Sequence, residues 1–449
     1  MIIYLDNLRG FNDEFVELKD VNFLVGENST GKTSLISIIS LLADSGFVLS
    51  GQFRNKFVDF GSFKEIININ SKNKSSFSIG IINQKDVKNF DIKYDSIFLS
   101  FTEEEGFAVL NTYYLHVKNY MFCIEFKSGK TTINIKNIDC KSTKEIQEVF
   151  SDLRTGDFNS QYLSKSTIQS KNIASNRIGI KFMPSLIQFV LDDTDDKDLK
   201  KVIESLRFGY NRGNELLGEK VYWFDPIRSK PERFYEPNKS EYSPVGEHIP
   251  TLLRDIYKSK TSTNSKRVID IIERFGKATG LFDKIIIDPF KNSIESPFEL
   301  KVKLRGKEIK ISNIGYGVSQ ILPILTEIAF HKEESIFLIQ QPEVHLHPKS
   351  QAYCGEFFFM QSFAANKNFI IETHSDFILD RFRLILREKN NEKERFDKRV
   401  NILFFESTPE GNKIHKIELD EKGNYINQPE SFRKFFLNED LRILGIDEL

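Results

Sequence analysis

The sequence is poor in cysteine and has no long apolar segment. Its three cysteines, Cys123, Cys140 and Cys354, form no C-x-x-C pair and leave an odd number, which argues against a disulfide framework and against a zinc site. No stretch of about 18 apolar residues occurs, and the first residues lack the basic and apolar segments of a signal peptide. We therefore predict a cytoplasmic protein that is neither exported nor bound to a membrane.

An excess of charge of either sign is also missing. The 63 basic and 64 acidic residues leave a net charge of -1, so any contact with DNA or RNA needs a local basic patch. The candidate patch is residues 381–399, where arginines and lysines are interleaved with acids. A solvated helix face is the default interpretation of such a pattern, and nucleic-acid contact is the alternative.

Internal repeats and long heptad runs are absent, which argues against long coiled-coil arms. The remaining patterns of strands and helices predict four segments. Residues 1–70 hold the first nucleotide motif, and residues 71–140 form an antiparallel β subdomain of short strands. Residues 141–220 are predicted to be a helical insertion, and residues 221–449 alternate strands and helices as in a parallel, helix-covered sheet.

A phosphate-binding loop is predicted between an apolar strand and an apolar helix. The strand, residues 21–25, runs into a segment from Gly26 to Thr33 that matches G-x-x-x-x-G-K-[ST]. Glycines let backbone N–H groups face the phosphates, Lys32 reaches the β and γ oxygens, and Thr33 holds Mg²⁺. The following helix is predicted to end at Gly46 with a glycine cap. The residues expected to bind ATP here are Gly26, Asn28, Ser29, Thr30, Gly31, Lys32, Thr33 and Ser34.

A second motif follows the apolar strand 335–339, which has the form of a Walker B strand. Hydrolysis needs a carboxylate that fixes Mg²⁺ and usually a second that orients water, yet Gln340 and Gln341 are neutral amides. Because loss of a general base typically costs about 10²- to 10⁴-fold in rate, we predict ATP binding with slow or absent turnover. Either the head is naturally regulatory or a carboxylate has been exchanged for its amide. Glu343 is a substitute carboxylate or a structural loop residue, and Gln340 joins Thr33 at the predicted metal position.

Two further motifs lie on either side of that strand. Gly315, Gly317 and Ser319 open an apolar helix, and a glycine-rich helix start binds anions. We predict that this turn caps the γ-phosphate of an opposite head, with a plain helix-starting turn as the alternative. His374 follows strand 369–371 and is predicted to sense the γ-phosphate at the carboxyl edge of the sheet, or to be structural. The residues predicted to act in catalysis are Gln340, Gln341, Glu343 and His374.

Two clusters suggest metal sites but fit poorly. His345 and His347 lie two residues apart with no third ligand at suitable spacing, so we favour a loop at a dimer contact. The acidic run 192–196 lies in a polar segment rich in lysine, and a solvated acidic turn is favoured there.

Four segments resemble, in this order, the ABC-type ATPases of the OLD/RecF/SMC-related group found in bacterial defence systems, namely GENSTGKTSL, IGYGVSQILPIL, IFLIQQPEVHLHP and IIETHSD. Weaker similarity lies in residues 225–233, 243–247 and 429–436. The resemblance implies an α/β fold like an ABC or SMC head, with bound ATP and Mg²⁺ and a homodimer or higher homo-oligomer closed around ATP. In such families the residue at the first Walker B position is Glu, so Gln340 is the main departure from the family pattern. In the glycine-rich motif, Gly315 occupies a position where Ser is common.

Similarity to Septu-like, PARIS-like and retron-associated ATPase subunits implies a sensor of phage infection that controls a separate effector, a nuclease or a toxin. The alternative is a RecF- or SMC-like DNA-repair ATPase that binds duplex DNA. Such a protein would share every ATP motif but is expected to have a basic DNA face, whereas this chain is near neutral. The length that follows His374 is expected to be too short for the nuclease domain of OLD proteins.

Overall fold

The computed structural model groups the chain into two compact units, each made of separated segments. Unit 1 comprises Met1–Leu18, Glu27–Glu219 and Phe405–Ile414, and unit 2 comprises Lys19–Gly26, Lys220–Phe404 and His415–Leu449. The residues that the structure describes are 1–83, 95–127, 129–155, 161–174, 187, 196–210, 220–237, 241–291, 296–331, 335–391, 393–409 and 411–432.

The strands are β1 (Ile2–Asp6), β2 (Glu14–Glu17), β3 (Val21–Gly26), β4 (Ser76–Ile82), β5 (Ser96–Glu104), β6 (Phe107–Val117), β7 (Tyr120–Lys127), β8 (Lys130–Ile138), β9 (Leu163–Ala174), β10 (Lys220–Phe224), β11 (Lys284–Pro289), β12 (Phe298–Leu304), β13 (Lys307–Lys310), β14 (Ser335–Gln340), β15 (Asn368–Glu372), β16 (Val400–Thr408), β17 (Gly411–Leu419) and β18 (Tyr425–Ile426). The α-helices are α1 (Lys32–Leu42), α2 (Ser45–Ser50), α3 (Phe63–Ile66), α4 (Thr143–Thr155), α5 (Lys197–Tyr210), α6 (Ile249–Lys258), α7 (Thr263–Thr279), α8 (Tyr316–Phe330), α9 (Pro348–Phe363) and α10 (Asp376–Lys389). Short 3₁₀ turns occupy Ile311–Asn313 and Phe396–Arg399.

Unit 1 is built on an antiparallel sheet in the order β2-β1-β4-β5-β6-β7-β8-β9. Apolar side chains on one face of this sheet meet the apolar side of α4, and the contact is aromatic. Tyr4, Phe98 and Phe150 lie at its centre, with the rings of Phe98 and Phe150 5.2 Å apart and nearly perpendicular. Strands β4 to β8, which lie within residues 71–140, are thus part of a sheet that also includes β1, β2 and β9.

Two predictions in unit 1 differ from the structure. The segment 141–220 contains α4 and α5 but also β9, which pairs with β8 and extends the sheet. Strand β9 is mostly polar, so it lacks the alternation of apolar residues that marks a half-buried strand. Helix α1 ends at Leu42 and not at Gly46, because the side chain of Asp44 accepts hydrogen bonds from the N–H groups of Gly46 and Phe47 and starts α2 there.

Unit 2 contains a parallel array of strands covered by helices. Strands β10, β14, β15 and β3 are neighbours and pair in parallel, within a sheet of order β10-β14-β15-β3-β16-β17-β18. Strand β14 is buried along its whole length, as a central strand with both faces covered must be. Its core is formed with apolar side chains of α8, α9 and α10, and a small sheet of β11, β12 and β13 lies in the same unit.

Helix α8 contains Pro323, which has no N–H to donate to the preceding turn. Its second half is anchored by Glu327, which is 2% exposed and accepts a hydrogen bond from His248 Nε2. A second carboxylate oxygen of Glu327 lies 2.5 Å from His331 Nε2. Burial alone would raise the pKa of Glu327, but the contacts with the two histidines outweigh it and hold the pKa below its usual value.

Within the described residues, no helix combines the length and apolar character that crossing a bilayer requires.

Candidate nucleotide-binding site

The loop after β3 has the backbone of a phosphate-binding loop. Gly26 ends the strand, and α1 begins at Lys32 with Gly31 as its N-cap at φ 100°. A Cβ on Gly31 would lie 2.8 Å from the Phe11 ring, so both the positive φ and the packing require glycine. The N-terminus of this 11-residue helix presents backbone N–H groups and the positive end of its dipole. This is the local geometry that binds an anion.

The side chains of the loop divide into a buried base and an exposed rim. Lys32 is 3% exposed, and its ammonium donates to the carbonyl of Glu27, as does the hydroxyl of Thr30 at 2.8 Å. Both bonds hold the loop in its turn around the lysine. Glu27, Asn28, Ser29 and Thr33 are exposed, Gly26, Gly31 and Ser34 are half-buried, and Ser29 has a φ of 63°.

The carboxyl ends of β14, β15 and β3 lie side by side in unit 2, and we call them the carboxyl edge. In the register of the sheet, Gln340 faces Glu372, and Glu372 faces Leu24, two residues before the end of β3. Ligands of open α/β sheets bind at the carboxyl ends of the strands. The Walker B segment, the segment that contains His374 and the start of the phosphate-binding loop therefore all leave the sheet at this edge.

Gln340 and Glu372 form a buried pair at the carboxyl edge. Gln340 is 6% exposed and Glu372 is 5% exposed, and the Gln340 amide donates from Nε2 to Glu372 Oε2 over 3.1 Å. The backbone N–H of Gln341, which has a φ of 43°, donates to the carbonyl of Glu372 over 2.8 Å. The carboxylate of this pair is thus Glu372 on β15. In the sequence, Glu372 is only part of the segment that contains His374. The amide oxygen of Gln340 and the carboxylate of Glu372 are oxygen donors of the type that Mg²⁺ accepts, directly or through water.

Glu343 ties the Walker B segment to the segment after β15. Its two carboxylate oxygens accept from the Thr373 hydroxyl at 2.9 Å and from the backbone N–H of His374 at 2.7 Å. Burial raises the pKa of Glu343, although the N–H of His374 opposes the shift. The side chain of His374 itself is exposed. Glu343 therefore orients the backbone that carries His374.

The glycine-rich turn before α8 is shaped by contact with the loop that follows β14. Gly315 is the N-cap of α8, and a Cβ on Gly317 would lie 2.9 Å from the carbonyl oxygen of His345. Tyr316 between them is 51% exposed. The hydroxyl of Ser319 donates to the carbonyl of Tyr316 over 2.8 Å inside the first turn, and Ser319 is buried. The exposed backbone of Gly315 and Tyr316 is consequently the part of the turn that is open to an anion.

An unexpected residue at the carboxyl edge is Arg228, in the loop after β10. Its side chain is 2% exposed and donates from Nη2 to the carbonyl of Gln340 over 2.8 Å, while Nε and Nη1 have no hydrogen-bond partner. Burial lowers the pKa of Arg228 to about 10, with Glu343 as the largest opposing influence. Its backbone is bonded to the side chain of Gln320 on α8. In the sequence, Arg228 belongs only to the similar segment 225–233. No pattern there singles out the residue, because burial of this side chain depends on tertiary packing.

The remaining candidate residues have local roles. His347 Nδ1 accepts from the N–H of Lys349 and caps α9, while His345 is exposed with its ring 5.6 Å from that of Tyr316. Within residues 196–210, Asp196 caps α5, and residues 192–195 and 433–436 lie outside the described residues. Several basic side chains of residues 381–399 pair with acids, namely Arg381 with Glu356, Arg383 with Asp380, Arg395 with Asp397 and Arg399 with Asp20.

Comparison with protein families assigns the chain on most of its length. The sequence profile of the AAA ATPase domain family matches residues 1–379. The chain belongs to this family. Membership in the AAA ATPase domain family agrees with the phosphate-binding loop and with the parallel strand order of unit 2. It confirms the predicted fold class, an α/β P-loop fold with an antiparallel β subdomain, and it makes the chain an ATPase-type, nucleotide-binding protein.

Solved structures similar to this family member include heads of SMC proteins. An SMC head domain bound to the C-terminal winged-helix domain of ScpA is 11% identical, with a TM-score of 0.46, covering 94% of this chain and 98% of its own. The SMC head domain from Thermotoga maritima is 12% identical, with a TM-score of 0.39, covering 93% and 98%. An Smc head with an extended coiled coil from Pyrococcus furiosus is 10% identical, with a TM-score of 0.42, covering 98% of both chains. None of the curated proteins compared with the chain matches it. The fold assignment therefore rests on the strand order and on the family match.

Proposed function

We propose that this AAA ATPase-domain protein is an ATP-operated switch that binds Mg²⁺·ATP, self-associates around it and turns it over slowly or not at all. In this role it is the sensor or regulatory subunit of an anti-phage defence complex and controls a separate nuclease or toxin. Thr33 in unit 1 and Gln340 in unit 2 are each proposed to meet the metal, and within unit 2 Glu372 lies beside Gln340.

The observation that carries the proposal is a complete phosphate-binding loop combined with amides in the Walker B positions. In support of phosphate binding, Gly31 is in the left-handed region at the start of α1, and Lys32 follows it with its ammonium held by the carbonyl of Glu27. Gln340 and Gln341 cannot remove a proton from water, and Glu343 has both carboxylate oxygens engaged by Thr373 and His374. Binding without efficient hydrolysis keeps the ATP-bound form long-lived, which is what a switch requires.

Self-association is supported by the exposed groups around the glycine-rich turn. Tyr316 is 51% exposed at the start of α8, and Phe377 is 52% exposed at the start of α10. The exposed N-terminus of α8 is an anion-binding element that its own unit does not cover at Gly315, since a Cβ there would meet no atom within 4 Å. A phosphate carried by a second copy is the proposed ligand of this turn.

The defence role and the separate effector rest on the similarity of the four motif segments to ATPase subunits of bacterial defence systems. The RecF- or SMC-like alternative needs a basic face for duplex DNA. Arg381, Arg383 and Arg399 in the basic stretch each form an ion pair with an acidic side chain. These guanidinium groups are therefore less available to bind DNA phosphates. Duplex binding that weakens steeply with salt would favour the alternative.

The first test compares two buried lysines. Lys32→Met removes the ammonium from the loop, whereas Lys367→Met removes another buried ammonium, which donates to the carbonyl of Ile328. We expect calorimetry to show Mg²⁺·ATP binding by the wild type and by Lys367→Met, and a loss of at least about 100-fold in affinity for Lys32→Met. Mass measurement should show an ATP-dependent dimer or larger oligomer for the same two proteins. Equal affinity of the two lysine variants would refute the proposed site.

A second test addresses the missing base. Gln341→Glu places a carboxylate where the attacking water would be oriented, and we expect phosphate release to rise by about 100-fold or more over the wild type. A rate that does not change would mean that the amide at this position is not what limits hydrolysis. The effector is tested by purifying the protein with its operon neighbours and measuring the mass of the complex with and without ATP.

A further inference from the structure

We propose that Arg228 is a positioning residue that couples the glycine-rich start of α8 to the Walker B end of β14. The proposal rests on the proposed function, because it describes how ATP bound at one of these motifs changes the structure of the other. Its basis is the buried guanidinium itself and the hydrogen bonds that its residue makes to both elements.

The first link joins Arg228 to α8. Gln320 is 2% exposed and follows Ser319 in the helix, and its Oε1 accepts from the backbone N–H of Arg228 over 3.0 Å. Its Nε2 donates to the carbonyl of Arg228 over 3.4 Å. These two bonds fix the loop to the first turns of α8, so a shift of the glycine-rich turn moves Arg228 or breaks buried hydrogen bonds.

The second link joins Arg228 to the carboxyl edge. Its Nη2 donates to the carbonyl of Gln340, and the side chain of Gln340 donates in turn to Glu372. A continuous hydrogen-bonded chain therefore runs from Gln320 through Arg228 and Gln340 to Glu372. All four side chains are at most 6% exposed.

The loop that carries Arg228 is held at both ends. The N–H of Asp225 donates to the carbonyl of Pro244 over 3.3 Å, and the N–H of Ser229 donates to that of Val245 over 2.7 Å. Gly246, next in that segment, has no room for a Cβ, which would lie 2.9 Å from Pro323 of α8. The loop is thus a stiff connection and transmits a displacement of α8 to the guanidinium.

A structural role alone does not explain this side chain. A buried arginine whose Nε and Nη1 lack partners is a poor stabiliser, because desolvation of its charge is only partly offset. The two unpartnered N–H donors of the guanidinium can each gain an acceptor when the carboxyl edge rearranges. Glu343 is the candidate acceptor, because its carboxylate most strongly opposes the lowering of the Arg228 pKa. We infer that Arg228 exchanges partners between the two states of the switch.

The test compares Arg228→Met with Arg254→Met. Arg254 is a matched control, since it is 6% exposed and donates to the carbonyl of Pro237, away from the carboxyl edge. Hydrogen exchange read by mass spectrometry follows three peptides, residues 25–35, 313–322 and 340–347, with and without Mg²⁺·ATP. In the wild type and in Arg254→Met, ATP should slow exchange in all three.

In Arg228→Met, protection of residues 25–35 should persist with an ATP affinity within about twofold, while protection of residues 313–322 and ATP-dependent self-association fall by about tenfold. Arg228→Lys should not restore them, because an ammonium cannot reproduce the planar donor set. The inference is wrong if Arg228→Met behaves as the wild type, or if Arg254→Met shows the same loss. Absence of ATP binding by the wild type would instead refute the proposed function.

Discussion

Replacing Gln340 by Glu tests whether the carboxyl edge is adapted to an amide. The substitution places a carboxylate oxygen where Nε2 now donates, 3.1 Å from Glu372 Oε2. At an effective dielectric constant of about 20, two full charges at that distance repel by about 5 kcal/mol. Keeping one carboxyl protonated at pH 7 costs about 4 kcal/mol, so the pair retains a proton instead of ionising twice.

The retained proton adds a pH dependence to the stability of the variant. The folded pair has one pKa raised above that of the unfolded chain, so the unfolded state binds fewer protons and stability falls as pH rises through the window between the two values. The slope is about 1.4 kcal/mol per pH unit. We expect urea unfolding to show Gln340→Glu close to the wild type at pH 5 and about 2–3 kcal/mol less stable at pH 7.

The matched control moves the charge without adding one. In the double variant Gln340→Glu with Glu372→Gln, the carboxylate lies on β14 and the amide on β15, so the hydrogen bond is reversed and the net charge is that of the wild type. Its stability at pH 7 should return to within about 1 kcal/mol of the wild type. Equal losses of the single variant at pH 5 and pH 7, or a double variant that is less stable still, would show that the pair is not held by this hydrogen bond.

Two further predictions use other described contacts. Gly31→Ala should lower both stability, by about 1–3 kcal/mol, and ATP affinity, because φ is 100° and the Cβ meets Phe11. Gly51→Ala, at φ 69° with nothing within 4 Å, is its control, and urea unfolding with ATP titration should find it the milder change. Glu327→Gln should lose about 2 kcal/mol at pH 7 in urea unfolding. Since the pKa of Glu327 is depressed in the fold, that stabilisation is present above the unfolded pKa and disappears as pH falls through the folded value. A gap equally large at pH 3.5 would contradict this assignment.

The motifs predicted the local structure well because each depends on neighbouring residues. The phosphate-binding loop, the burial of β14 and the start of α8 at a glycine-rich turn follow from short-range patterns, and the structure has them within a residue or two. Strand β9 was missed because edge strands with polar faces have no apolar period.

Partners across the sheet could not be predicted from the sequence. Gln340 and Glu372 are 32 residues apart and meet only through the register of β14 and β15. Arg228 and Gln320 are 92 residues apart, and no sequence pattern indicates that their two segments meet. The roles of Gln340, Gln341, Glu343, His374 and the phosphate-binding residues stay predictions until ligand binding is measured.

Pro323 lies between two halves of α8 that are held by different contacts. The first half carries the glycine-rich turn and Gln320, and the second half is anchored by Glu327, which contacts two histidines. Because Pro323 cannot donate the backbone hydrogen bond of its turn, bending α8 there costs less than in an unbroken helix, but a tilt of the first half also moves its buried side chains Val318, Ile321 and Leu322. If the proposed phosphate contact forms at the glycine-rich turn, it therefore acts on the apolar core of unit 2 as well as on Arg228.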